Sequence, residues 1–262
     1  MRKRKPMMAG NWKMNNTWAE STVLTQRISN RAKNTWEDAD VALCVPSCDL
    51  KAVWEVLEFD KCKTVMVGAQ NVYWEESGAY TGEISVKMIK EVGAKCCIVG
   101  HSERRGYFGE TDSDVNKKIG ALLAGKLMPI VCVGESLAVR DEGTFIEYVC
   151  NQVSADFAGF EPEEVAKCVL AYEPIWAIGT GRTATPEQAQ EVCHAIRERV
   201  QQDFGEDAAQ SVRVLYGGSM KPANVEGLLA MEDIDGGLIG GAALNADDFA
   251  QLVEACLKKG KQ

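Results

Sequence analysis

The sequence predicts an α/β fold: a single closed barrel of eight parallel strands alternating with helices, written (β/α)8. Two observations predict it. Eight short apolar runs recur along the chain, and segments with helical spacing separate them. Continuous apolarity is typical of strands covered on both faces, as in parallel sheets. The length of 262 residues suits one such barrel, so we expect a single domain over residues 1–262.

The strand candidates start roughly 25 to 45 residues apart, which leaves room for one helical crossover after each. They span residues 7–10, 41–45, 65–69, 96–100, 129–133, 168–172, 212–216 and 237–240. The clearest helix is 186–204, for which Thr185 is the expected N-cap and Pro186 the first helical residue. An open doubly wound sheet has similar crossovers, but eight units favour closure.

Charge and composition exclude several classes of function. The formal net charge of −9 argues against nucleic-acid binding, which needs a basic face, so an anionic substrate requires locally placed donors. No apolar run approaches the ~20 residues of a membrane span, and Gly10, Asn11 and Lys13 interrupt any signal peptide. We therefore expect a cytoplasmic protein with reduced thiols at its ten cysteines. With two histidines and no Cys-x-x-Cys pair, a zinc site is not expected.

Polar and glycine-rich residues follow five of the predicted strands. In a (β/α)8 barrel the loops after the strands form the active site, so these residues are expected to meet at one end. They are Asn11 and Lys13 after the first strand, His101 after the fourth, Glu173 after the sixth, Gly217-Gly218-Ser219 after the seventh, and Gly240-Gly241 after the eighth.

Three of these side chains suit acid–base chemistry, although each has a structural alternative. Glu173 lies in apolar surroundings, where desolvation is expected to raise its pKa and make it a general base; it could instead pair with an arginine or cap a helix. His101 begins a helix, whose N-terminus disfavours the imidazolium, so a neutral imidazole donating to an oxyanion is expected; it could also be structural. Lys13 supplies positive charge, or is an ordinary surface ammonium.

The glycine turns and one apolar loop suggest how a substrate is held. The loops after strands seven and eight of such barrels frequently bind phosphate through backbone N–H groups, although these glycines could be simple tight turns. Residues 175–181 form an apolar segment between Pro174 and two glycines. This pattern is typical of a lid that excludes water from a base, or of a packed loop.

Taken together, five segments resemble the triosephosphate isomerase family over essentially the whole chain: residues 9–15, 99–105, 171–181, 216–219 and 238–242. The resemblance implies interconversion of dihydroxyacetone phosphate and glyceraldehyde 3-phosphate without a cofactor. It implies that Glu173 moves the proton between neighbouring carbons, while His101 and Lys13, assisted by Asn11, stabilise the enediolate.

The resemblance also implies binding roles. Asn11 and Lys13 would contact the substrate, and the backbone at Gly179, Ser219, Gly240 and Gly241 would hold its phosphate. The lid would comprise Pro174, Ile175, Trp176, Ala177, Ile178, Gly179, Thr180 and Gly181, with Ile178 and Leu238 closing over the base and Tyr216 latching the closed lid.

A homodimer is implied by the loop 70–85 around Thr81, which resembles the family's dimer loop and would reach the partner near its Lys13. One departure is Gly237, where many relatives carry a bulky residue; its absence is expected to loosen packing behind Leu238. Two other functions stay open. A sugar-phosphate epimerase usually needs metal-binding histidines, and His101 and His194 are too few. A catalytically inactive binding protein is disfavoured because Asn11, Lys13, His101 and Glu173 are all present.

Overall fold

Eight parallel strands form a closed barrel in the computed structural model, which describes residues 4–32, 35–177 and 183–261. Each strand pairs with the next in the chain, and β8 pairs with β1, which confirms the predicted closure and excludes the open sheet. The strands are β1 Met7–Asn11, β2 Asp40–Val45, β3 Val65–Ala69, β4 Cys96–Val99, β5 Met128–Val133, β6 Val169–Tyr172, β7 Arg213–Tyr216 and β8 Gly236–Ile239.

Helices surround the barrel, and at least one lies between each strand and the next. Within the described ranges the α-helices are α1 Trp18–Ala32, α2 Leu50–Phe59, α3 Val86–Glu91, α4 Ser102–Phe108, α5 Asp112–Ala124, α6 Leu137–Asp141, α7 Phe145–Asp156, α8 Pro162–Val165, α9 Pro186–Phe204, α10 Glu206–Ser211, α11 Val225–Leu229 and α12 Ala246–Lys261. The prediction for α9 is confirmed: the Thr185 hydroxyl accepts a hydrogen bond from Gln188 N–H, and the Gln188 side chain accepts one from Thr185 N–H.

The strands bury both faces, as the apolar runs predict. Side chains that alternate along each strand divide into an inner cluster, such as Ala42 and Cys44, and an outer one packed under the helices, such as Val41 and Leu43. At Gly68 a side chain has no room: its Cβ would lie 2.6 Å from Cys44 Sγ and 2.8 Å from Cys96 Sγ. The interior of the barrel is therefore a packed core.

Strand ends differ from the prediction by one residue at most. The fourth run was expected to reach residue 100, but Gly100 has φ of +70° and leaves the sheet there. Asn11, expected just after the first strand, is its last residue and pairs with Cys44. These ends matter because the candidate site begins where the strands stop.

Two further observations bear on the sequence predictions. None of the helices in the described ranges is long and apolar enough to cross a membrane. All ten cysteines are free thiols, and nine of them are buried. The packing expectation at Gly237 is wrong: a Cβ there would lie 2.7 Å from Ile239 Cδ1 and 2.8 Å from Met220 Sδ, so neighbouring side chains already fill that space.

Candidate active site

One cavity of about 970 Å3 opens at the end of the barrel where the strands terminate. Most of the predicted site residues line it, although they lie far apart in the chain. The lining includes Asn11, Lys13, His101, Glu173, Ile175, Ala177, Ser219, Leu238, Gly240 and Gly241. Gly179, Ile178, Thr180 and Gly181 lie outside the described residues. The expectation that the ends of β1, β4, β6, β7 and β8 meet at one mouth is therefore met for the described residues.

Glu173 follows β6 directly and is only 2% exposed. Its Oε1 lies 2.9 Å from His101 Nε2, and its Oε2 accepts a hydrogen bond of 2.8 Å from Ser102 N–H. Gly217 makes this position possible, since a Cβ there would lie 2.9 Å from Glu173 Cγ and 3.0 Å from Tyr172 O. The carboxylate is thus buried against an imidazole and a helix N-terminus.

The expected rise in the pKa of Glu173 is wrong for this arrangement. Burial does raise the pKa, but His101, the Ser102 N–H and Lys13 together outweigh it and lower the pKa below the usual 4.5. The sequence shows the apolar surroundings but does not show the three groups that stabilise the anion. Glu173 is consequently held ionised in this position.

His101 is the N-cap of α4, as its place after β4 predicts. Its Nδ1 accepts a hydrogen bond of 3.1 Å from Glu103 N–H, so this nitrogen carries no proton and Nε2 is the donor. Burial lowers the pKa of His101, but the Glu173 carboxylate raises it above 6.5 overall. The hydrogen bond from Glu103 N–H therefore favours the predicted neutral imidazole, whereas the Glu173 carboxylate favours the imidazolium. The helix N-terminus was expected to lower the pKa of His101, but the carboxylate raises the pKa by more.

Lys13 has a partner that the sequence analysis missed. Its Nζ lies 2.6 Å from Glu103 Oε1, on α4, and its N–H donates to Asn11 Oδ1 over 3.0 Å. The backbone at Lys13 has φ of +53°, a region that residues other than glycine rarely adopt. Gln70 donates to the Lys13 carbonyl, which helps to fix the strained turn. Since Glu103 lies in the matched segment 99–105, the predicted topology could have placed it on the same rim as Lys13, although it could not have shown that the two side chains pair.

The glycine turns provide free backbone donors. The N–H groups of Ser219, Gly240 and Gly241 have no hydrogen-bond acceptor among the described residues. Gly240 precedes a 3₁₀ helix, Gly241–Leu244, whose first N–H groups have no partner within the turn. Asn224 donates to Ser219 O over 3.0 Å and thereby fixes the loop after β7. Such clusters of unpaired N–H groups are suited to binding an anion.

The first part of the predicted lid is a 3₁₀ turn, Ile175–Ala177. Its contacts identify a second residue that sequence reasoning missed, Glu135, which lies just after β5. One buried oxygen, Oε1, accepts from Trp176 Nε1 at 2.7 Å, Tyr172 OH at 3.0 Å and Arg140 Nη1 at 3.0 Å, while the Glu135 carbonyl accepts from Ile175 N–H. Glu135 thus holds the start of the predicted lid segment through its side chain and its backbone. The rule that predicted the other site residues, inspection of the first residues after each strand, also leads to Glu135.

Comparison with known proteins agrees with this geometry. The family profile described as triosephosphate isomerase matches residues 6–256. The proteins named triosephosphate isomerase from Streptococcus pyogenes serotype M49 (strain NZ131), serotype M1 and serotype M12 (strain MGAS9429) are each 49% identical over 251 residues. Those alignments cover 96% of this chain and 98% of each relative. The chain therefore belongs to the triosephosphate isomerase family.

Proposed function

We propose that Glu173 is the base that moves a proton between two carbons of a triose phosphate, and that His101 and Lys13 stabilise the intermediate. The reaction itself, interconversion of dihydroxyacetone phosphate and glyceraldehyde 3-phosphate, follows from family membership. The observation that carries the proposal for the residues is the contact of a buried Glu173 with His101 in a cavity that Lys13 also lines.

Each group has a distinct task in the proposed mechanism. Removal of a proton next to a carbonyl leaves an enediolate, whose negative oxygen needs a donor and a positive charge. The Nε2–H of His101 supplies the donor once substrate oxygens displace Glu173 from it. Lys13 supplies the charge, and Asn11, buried at the end of β1, holds the Lys13 backbone through its Oδ1. Glu173 then returns its proton to the neighbouring carbon, while the hydroxyl proton passes from one enediolate oxygen to the other beside His101 Nε2, so that the carbonyl moves to the first carbon.

We propose that the substrate's phosphate binds the N–H groups of Ser219, Gly240 and Gly241, with Gly179 as a fourth donor. Support comes from the first three, which are unpaired in the described part of the chain and line the same cavity as Glu173. In this proposal the lid comprises residues 174–181 and closes over the bound substrate, with Leu238 packing beside the base. Exclusion of water strengthens each hydrogen bond in the cavity.

Homodimer formation is a further proposal, carried by the loop 70–85. Its tip, residues 75–83, is exposed, yet the loop is internally ordered: Tyr73 stacks on Trp74 with ring centroids 4.1 Å apart, and the Tyr80 ring contacts Tyr73 at a tilt with centroids 4.7 Å apart. A second cavity of about 330 Å3 lies beside Lys13, and apolar side chains near it are uncovered, with Met14 96% and Phe108 70% exposed. A loop around Thr81 from a second copy would fill this cavity and cover these side chains.

Light scattering combined with a dilution series tests the dimer. We expect a mass of two chains and a loss of activity per chain when dilution separates them, because the loop of one copy supports Lys13 of the other. Full activity of a monomer would contradict the proposal. A single domain over 1–262 and a cytoplasmic location also remain predictions, the second supported by ten free thiols and testable by cell fractionation.

An isomerase assay in excess chelator separates this proposal from its alternatives. We expect full interconversion, since the described residues include no cluster of metal-ligating side chains and the proposed roles need none. Complete loss of activity would favour the metal-dependent epimerase instead. Absence of activity with and without chelator would favour an inactive binding protein.

A further inference from the structure

Some of the charged side chains that line the active-site cavity have a partner of opposite charge in the described part of the chain, and others do not. Lys13 is paired with Glu103, and Glu173 is held by His101 and the Ser102 N–H. Two other charged side chains line the same cavity, Lys221 and Asp248, and neither has an ion-pair partner among the described residues. The substrate of the proposed reaction carries a phosphate dianion, so an uncompensated cation and an uncompensated anion at the mouth act on it in opposite directions.

The local structure fixes Lys221 next to the proposed phosphate turn. Lys221 lies two residues after Ser219, and its N–H donates to Asn224 Oδ1 over 2.8 Å. The amide of the same Asn224 donates to Ser219 O over 3.0 Å. One asparagine thus holds both backbones, while the Lys221 side chain remains exposed to solvent. The backbone that carries the ammonium group is therefore held in a fixed place relative to the turn.

We propose that Lys221 attracts the phosphate dianion into the cavity and increases substrate affinity, and that Asp248 opposes it. The inference rests on the proposed phosphate site at Ser219, Gly240 and Gly241. Lys221 acts through its charge and touches no reacting carbon. It consequently stabilises the bound substrate and the transition state equally, which lowers KM without changing kcat.

The size of the effect can be derived from the charges involved. A unit charge acting on a dianion through water at roughly 10 Å changes affinity about threefold to fivefold at low salt. The Debye length falls from about 30 Å at ~0.01 M salt to about 3 Å at ~1 M, so the effect disappears at high salt. Salt dependence of this kind distinguishes an electrostatic role from a packing role.

Steady-state kinetics of four variants test the proposal at ~0.01 M and ~1 M salt. Lys221→Gln removes the charge, Lys221→Arg keeps it, Asp248→Asn removes the opposing charge, and Lys63→Gln is the matched control. Lys63 is exposed and precedes β3, at the opposite end of the barrel, so its loss changes net charge equally without changing the cavity. The inhibition constant of inorganic phosphate is measured for each variant.

We expect Lys221→Gln to lower kcat/KM about threefold to fivefold at low salt, to weaken phosphate inhibition similarly, and to leave kcat unchanged. Lys221→Arg restores the parent values, and Asp248→Asn raises kcat/KM. Equality of Lys221→Gln and Lys63→Gln at low salt, or a fall in kcat/KM that persists at ~1 M salt, would overturn the inference. If the parent protein shows no competition between inorganic phosphate and substrate, the proposed phosphate site itself fails, which is a separate outcome.

Discussion

The two ends of the barrel use charged residues in opposite ways. At the N-terminal end, Arg197 is buried and donates to Asp233, to Asp235 and to the carbonyls of Ala209 and Val212. Asp235 also accepts from Arg4 and from Val214 N–H. At the C-terminal end, the Lys13 backbone is strained, and Glu173 contacts His101, a contact that a substrate can replace. Lys221 and Asp248 line the cavity there and have no ion-pair partner among the described residues.

This difference separates stability from function within one fold. Charges at the N-terminal end have their hydrogen-bonding capacity satisfied inside the protein, which leaves nothing for a ligand. At the C-terminal end Glu135 is likewise held by three donors, but Lys221 and Asp248 have no ion-pair partner among the described residues, and Glu173 can exchange its contact with His101 for one with a ligand. We therefore expect substitutions at the first end to change the free energy of unfolding and substitutions at the second to change the rate of reaction.

The largest expected effect is on catalysis at the C-terminal end. Glu173→Asp withdraws the carboxylate by one methylene, and we expect kcat to fall by roughly 10²–10⁴, the usual contribution of a positioned base. The midpoint of thermal unfolding should stay close to that of the parent. Glu187→Asp, the same change at the exposed start of α9, serves as the control and should leave both quantities unchanged. Near-normal turnover of Glu173→Asp would remove Glu173 from the mechanism.

A comparably large effect on stability is expected at the N-terminal end. Arg197→Met leaves two buried carboxylates, Asp233 and Asp235, without their shared partner, which should lower the free energy of unfolding by about 3–5 kcal/mol. Turnover per folded molecule should be retained. Lys258→Met breaks an exposed pair with Glu226 and should leave stability nearly unchanged. Chemical denaturation measures the free energy of unfolding of both variants. If Arg197→Met and Lys258→Met lower it equally, the contrast between buried and exposed ion pairs is wrong.

His101→Gln sharpens the assignment of roles at the C-terminal end. The glutamine amide can still donate, but it does not reproduce the position of the His101 Nε2–H, so kcat should fall by roughly 10²–10³ and KM should rise much less, because the bond to the enediolate is strongest in the transition state. Steady-state kinetics with the triose phosphate measure the two parameters separately. A rise in KM with unchanged kcat would make His101 a binding residue only.

The smallest expected effect is a pH-dependent one at the N-terminal end. Burial raises the pKa of Asp40, but Lys5 and Arg213 outweigh it and lower the pKa below 3.8. The ionised carboxylate therefore stabilises the fold above pH 3.8, and this contribution is lost as the pH falls through the lowered pKa. Asp40→Asn should reduce the free energy of unfolding by at most about 1 kcal/mol at pH ~7. A difference from the parent that fails to shrink below pH 3.8 would contradict this cause.

Much of the fold could be predicted because it depends on local patterns. Buried parallel strands need continuous apolar residues, so all eight runs match strands to within one residue, and the cap at Thr185 gave the start of α9. Positions of site residues could be predicted as well, because barrel topology places every strand end on one rim. The ends of strands were less certain where a backbone angle decides them, as at Gly100.

Pairings between distant residues could not be read from the sequence. Nothing local indicates that Glu103 pairs with Lys13 from 90 residues away or that one oxygen of Glu135 accepts from three donors. The direction of the Glu173 pKa shift was wrong for the same reason, since burial can be inferred from neighbours in the chain but the compensating donors cannot. Packing at Gly237 depended similarly on Met220, which comes from a different strand end.

Hydrogen exchange from dihydroxyacetone phosphate in heavy water tests the central claim most directly, when the parent protein is compared with Glu173→Gln. For the parent we predict glyceraldehyde 3-phosphate that carries solvent deuterium at the carbon next to the aldehyde, because the proton resides on a carboxylate between its removal and its return. For the folded variant we predict neither isomer nor exchange. Deuterium incorporation that persists in Glu173→Gln, or isomer formed by the parent with no deuterium at that carbon, would contradict the proposed role of Glu173.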